Sequence, residues 1–110
     1  MLDLIVTGTG RCGTGFMSEV LTKAGVKCGH ETVFGPHGLY LESDVRADAS
    51  WLAVPHLRAF NEVPIMLLYR DPSQVIASFL GIKFFETPSS YRDFLFGIHP
   101  EMADMRPFEA

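Results

Sequence analysis

Thiols are scarce in this chain: of its 110 residues only Cys12 and Cys28 carry one. Two cysteines make no disulfide framework, and their spacing is not that of a zinc site. Long apolar runs are missing too; none approaches the ~20 residues that a membrane-spanning helix requires. Excess positive charge is absent, since the formal net charge is -4 at pH 7. That balance argues against a nucleic-acid coat or a polybasic membrane patch, and an anionic ligand has to be held by local donors. The first residues lack a basic n-region, and Asp3 interrupts them, so they do not read as a secretory leader. The expectation is a reduced, cytoplasmic setting. Repeats, low-complexity tracts and linkers are also lacking. What remains is 47% hydrophobic, enough for a core, at the length of one domain. A single domain over residues 1–110 is expected.

The stretch that organises the rest is Thr7-Gly8-Thr9-Gly10-Arg11-Cys12-Gly13-Thr14-Gly15. It lies between an apolar run, Leu2 to Val6, and a helical pattern, and reads as strand, glycine-rich turn and helix. A helix start offers backbone N–H groups without intrahelical partners, and the helix dipole adds partial positive charge there. Such a place suits a phosphate, and Arg11 sets a permanent cation beside it. Gly8, Gly10 and Gly13 satisfy the G-x-G-x-x-G dinucleotide pattern, which is weak alone. Gly8 and Gly13 also fit the frame of a Walker loop, but Thr14 and Gly15 stand where Lys and Ser/Thr belong, which disfavours an ATPase, a GTPase or a nucleoside kinase. Cys12 in the turn becomes reactive if the helix end and Arg11 lower its pKa; a small residue tolerated in a tight loop is the plainer reading.

Along the chain, Phe16, Met17, Val20, Leu21 and Ala24 form an apolar helical stripe that Gly25 ends. Val26 to Cys28 makes a second strand and closes a βαβ unit. Gly29 to Asp48, with glycines, Pro36 and two histidines, reads as a long loop of the functional or mobile kind. Phe34 and Tyr40 in it are candidate liners of an acceptor pocket. Ser50 to Val54 reads as a short strand broken by Pro55, with Trp51 in the core, and His56 to Phe60 as a helical turn or two. Pro64 to Tyr69 is a second clear strand. Asp71 caps the following helix, Pro72 takes its first position, and Val75, Ile76, Phe79 and Leu80 form its buried stripe. A last amphipathic helix covers Ser89 to Phe96. These elements give an α/β fold with a short parallel β-sheet flanked by helices.

A second corner for an anion lies at Arg70-Asp71-Pro72, where an Arg ends a strand and Ser78 follows eight residues later. Guanidinium suits phosphate because its planar fork binds two oxygens at once. Together these residues resemble the sulfotransferases that use 3′-phosphoadenosine 5′-phosphosulfate (PAPS). In that family a (K/R)-S-G-T-T motif binds the 5′-phosphosulfate, and Arg11-Cys12-Gly13-Thr14-Gly15 stands in its place. An R-D-x-x-x-x-x-x-S motif binds the 3′-phosphate, matched here by Arg70 and Ser78. Cys28-Gly29-His30-Glu31-Thr32 is similar to the C-G-E-E-T segment of the tyrosylprotein sulfotransferases, whose second glutamate, the catalytic base, falls on Glu31. The similarity spans roughly residues 2 to 80 and extends to bacterial sulfotransferases. Cys12 departs from the usual Ser, and Gly15 from the second Thr, which removes a hydroxyl.

The resemblance implies a P-loop-like three-layer sandwich. It implies transfer of a sulfuryl group from PAPS, without a metal, to a hydroxyl on a small molecule, a glycan or a peptide. Arg11 and the N–H groups of Gly13, Thr14 and Gly15 would stabilise charge on the donor, and Glu31 would take the acceptor's proton, with His30 as the competing base. Family members run well beyond this length and carry a later glycine-rich segment with a basic residue. Nothing after Gly97 matches it, so the expectation is the N-terminal portion of the full fold or a reduced relative. Two other readings stand: a non-catalytic sulfotransferase-like domain for nucleotide binding or assembly, and a Rossmann-type dinucleotide binder with Glu31 on a ribose hydroxyl. An uncovered edge of a small sheet also invites a second copy. The sulfotransferase reading requires Arg11 and Arg70 to face one crevice.

Overall fold

Strand β1 (Leu4–Thr7) buries Ile5, Val6 and Thr7, as a parallel strand covered on both faces must. It is central in a four-stranded parallel sheet of order β2-β5-β1-β6, with β2 at Cys28–His30, β5 at Ala47–Ala49 and β6 at Ile65–Leu67. A computed structural model describes residues 2–101. It divides into two compact units, the first ending at Arg70 and the second beginning at Asp71.

Three expectations shift within the first unit. The strand read at Ser50 to Val54 lies instead at β5, Ala47–Ala49, and Trp51–Phe60 is a 3₁₀ helix with Pro55 inside it. Ser50 causes the break: its hydroxyl accepts from the Leu52 amide at 3.1 Å and donates to the Phe34 carbonyl at 2.7 Å. Ala-Asp-Ala has poor intrinsic strand preference, which is why the pattern conceals it. The long loop is partly ordered as a small hairpin, β3 (Phe34–Gly35) and β4 (Gly38–Leu39). Phe34 is not an acceptor-pocket liner but a fully buried core residue. Its ring meets Phe60 edge-on at 5.2 Å and stacks on His56 at 5.9 Å. Around it pack Leu2, Ile5, Val33, Val45 and Ala53, with Leu57 and Val63 at the margin.

Helix α1 (Thr14–Lys23) also differs in the face it buries. Thr14 and Ser18, not the apolar stripe, are its buried residues, and Phe16 and Val20 are exposed. Ser18 and Thr22 each donate to the Cys28 carbonyl at 3.2 Å. A hydroxyl row at i, i+4 and i+8 therefore ties the helix to β2. The helix ends as expected, with Gly25 at φ 101° after Ala24.

In the second unit, α2 (Pro72–Gly81) starts at Asp71, whose carboxylate accepts from the Ser73 amide at 2.8 Å and hydroxyl at 2.6 Å. Those bonds hold the Asp71 carboxyl below the usual carboxylate range. Helix α3 (Ser90–Ile98) is capped by the Ser89 hydroxyl on the Arg92 amide at 3.0 Å. Phe79, Phe84, Phe85 and Phe96 form an aromatic cluster, with the Arg92 guanidinium 5.6 Å from the Phe96 ring centre.

The most demanding feature is Asp48, a fully buried residue in the middle of β5. Its carboxylate accepts from the amides of Thr32 (3.0 Å), Val33 (2.9 Å) and Phe34 (3.0 Å). Gly29 opposite is obligatory, because a Cβ there would lie 2.3 Å from the Thr32 hydroxyl and 2.7 Å from Asp48 Oδ1. An amide stripped of its acceptor in a buried place costs about 1–3 kcal/mol. Asp48→Ala orphans three, and is expected to destabilise the first unit by about 3 kcal/mol or more. Urea unfolding followed by the single tryptophan, Trp51, measures it; a loss under about 1 kcal/mol contradicts the assignment.

Candidate functional site

All four strands of the sheet deliver residues to one cleft at their carboxyl ends, the place where open parallel sheets bind ligands. The turn after β1 brings Arg11, Gly13, Thr14 and Gly15; β2 brings His30 and Glu31; β5 leads to Trp51; β6 leads to Arg70. The cleft measures about 340 Å³, within the range of small-molecule sites.

The cradle owes its shape to left-handed backbone. Gly13, the residue before α1, has φ 103°, a value glycine accepts without cost. Arg11 has φ 63°, unusual for a residue with a side chain. Glycine has no side chain with which to cap the helix, so the first amides of α1 meet the cleft without a competing carboxylate or hydroxyl at Gly13. Arg70 completes this corner: its Nη1 donates to the Arg11 carbonyl at 2.7 Å. Arg11 and Arg70 thus line the same crevice.

Across the cleft, His30 Nε2 lies 3.2 Å from the Thr14 hydroxyl and 3.6 Å from Glu31 Oε1. With Nε2 protonated, the ring donates to Thr14; in the other tautomer Thr14 donates to the ring. Glu31 is itself left-handed, at φ 57°, and its amide donates to the Ala49 carbonyl at 3.0 Å. Its side chain is 14% exposed against 44% for His30, so the carboxylate is the more enclosed of the two bases. Gly15 packs against the imidazole, where a Cβ would lie 3.4 Å from His30 Cε1.

Two residues read otherwise from the sequence. Trp51 is not simply core: half-buried, it forms part of the cleft wall. Its position just past the end of β5 is the signal that points to it, and β5 is the strand the pattern misplaces. Asp48 carried no functional signal, yet its three amides fix the segment immediately after Glu31. Ser78 lies half-buried on α2 in the second unit. Tyr40 is exposed on the loop after β4. Among the described residues no group of three or more His, Cys, Asp or Glu side chains is placed to hold a metal ion.

Cys12 lies in the turn, half-buried. Its thiol is pushed up from its ordinary value by burial, which outweighs the hydrogen bonds and the Arg70 charge that act the other way. Burial of the sulfur, outweighing the Arg70 charge, favours the plainer reading of a small residue in a tight turn. Cys12 is expected to alkylate with iodoacetamide more slowly than free cysteine at neutral pH. Its rate should reach half-maximum at a higher pH than free cysteine does, as read by peptide mass spectrometry. Rapid labelling at neutral pH contradicts this.

No family model matches the chain, and no curated protein sequence is significantly similar to it.

Proposed function

We propose that this chain binds a bisphosphorylated adenosine and moves a sulfuryl group from PAPS to a hydroxyl acceptor. The observation that carries the reading is the convergence of Arg11, Arg70 and the open end of α1 on one cleft that also contains Glu31 and His30. Two guanidinium groups and a helix N-terminus match a polyanion, and a carboxylate across the cleft matches a proton to be removed. A local positive corner in a chain of net charge -4 fits a bound anion better than general steering does.

When bound, the donor supplies an activated sulfuryl group for in-line displacement through a loose transition state. The residues do the rest. Arg11 and the amides of Gly13, Thr14 and Gly15 hold the 5′ side and stabilise charge developing there. Arg70 spends one of its five N–H donors on the Arg11 carbonyl, which leaves four for the anion. By the family resemblance, Arg70 takes the 3′-phosphate. Glu31 accepts the proton of the acceptor hydroxyl, and His30, bonded to Thr14, links that base to the cradle. Trp51 gives the cleft an apolar wall.

The dinucleotide reading has less support. In the Rossmann order strand 3 lies outside strand 2, which pairs with strand 1. Here β5, the third sheet strand along the chain, is inserted between β1 and β2.

Titration calorimetry with adenosine 3′,5′-bisphosphate (PAP) and with NAD separates the two: PAP binding is expected, and NAD binding without a PAP response ends the sulfotransferase reading. Glu31→Gln is expected to retain PAP binding and to lower sulfate transfer from labelled PAPS to a panel of hydroxyl acceptors by about 10²-fold or more. PAP binding with no transfer by the parent chain assigns the non-catalytic alternative.

A further inference from the structure

Arg70 has a second task that rests on the reading above but concerns the opposite end of the nucleotide. Its Nη1 donates at 2.7 Å to the carbonyl of Arg11, the residue held at φ 63° in the middle of the glycine-rich turn. A backbone carbonyl in an anion cradle is a liability, since its oxygen carries partial negative charge. A guanidinium bonded to it masks that charge and adds a full positive one. Left-handed backbone at a residue with a side chain persists only where the surroundings over-determine it. Here the bond reaches across 59 positions of sequence, from the end of β6 to the turn after β1. The same charge is felt at Cys12, the next residue of the turn, whose thiol it favours toward ionisation. Two observations, a bond and a field, therefore place Arg70 on the 5′ corner itself.

We infer that Arg70 is a positioning residue for the phosphate cradle: it clamps the Arg11 carbonyl, fixes the turn in its anion-binding shape, and so governs affinity for the 5′-phosphate whether or not a 3′-phosphate is present. The experiment compares the parent chain with Arg70→Ala and Arg70→Lys, using 5′-AMP, which lacks a 3′-phosphate, beside PAP. Loss of one charged hydrogen bond predicts that Arg70→Ala weakens 5′-AMP by about tenfold or more and PAP by at least as much. Arg70→Lys, which keeps the charge and one donor, should recover part of both. Without any nucleotide, amide exchange across residues 8–15 should speed up in Arg70→Ala while exchange in β1 and β5 stays as in the parent. An Arg70→Ala chain that binds 5′-AMP normally and loses only PAP overturns the inference, for Arg70 then serves the 3′-phosphate alone. Unchanged exchange in the turn overturns it as well. Should the parent bind neither nucleotide, the sulfotransferase reading fails, and the exchange comparison still decides the clamp.

Discussion

The carboxylate of Asp48 is the constraint on which the first unit depends. A buried charge is tolerable only when its lone pairs are met, and three consecutive amides meet it here. The consequence runs in two directions. Phe34, whose amide is the third donor, is thereby set into the core against Phe60 and His56. Glu31, one residue before the first donor, is thereby left at the cleft in a left-handed conformation that a free loop would rarely hold. Core and site share one anchor, and Gly29 permits it by leaving room for the Thr32 and Asp48 side chains. A fold that tied Glu31 down by apolar packing instead would have to bury its carboxylate.

The same logic explains which parts of the structure the sequence disclosed. β1, the glycine turn and the start of α1 were readable because each carries local chemistry that few backbone shapes satisfy: an apolar strand, a glycine, Gly13, at positive φ, and a helix start without a side-chain cap. Asp71 and Pro72 announced α2 for the same reason. What stayed hidden is held by contacts distant in sequence. β5 is Ala-Asp-Ala, with no strand preference of its own, and exists because its backbone is hydrogen-bonded on both sides and its aspartate captures the 32–34 amides. α1 is tied to β2 by hydroxyls, with Ser18 and Thr22 aimed at one carbonyl of that strand, a partner no periodicity names. Trp51 followed β5 into error: misplacing the strand by three residues put its neighbour in the core when it belongs to the cleft wall.

Local and global electrostatics part company in this molecule. The net charge of -4 repels anions on average, whereas one cleft gathers Arg11, Arg70 and the first residues of α1. Screening at physiological ionic strength works over about 8 Å, so distant acids weigh little against donors in contact with the ligand. Cys12 shows the limit of that field. Even beside Arg70, desolvation dominates its thiol and disfavours the thiolate.

The arrangement of the two bases follows from this corner. His30 cannot act independently of the cradle, because the nitrogen nearest Glu31 is also the one bonded to Thr14, the first residue of α1. If imidazole were the proton acceptor through Nε2, it would have to release Thr14 at the moment the cradle is under the greatest charge. Glu31 carries no such conflict: its backbone is pinned to Ala49, and its enclosed carboxylate lies 3.6 Å from His30 Nε2 without a bond to Thr14 of its own among the described hydrogen bonds. Under the proposed reading the proton therefore goes to Glu31, and the imidazole bridges base and anion site. Protonation of His30 would then strengthen its attraction to Glu31 and add a cation beside Thr14.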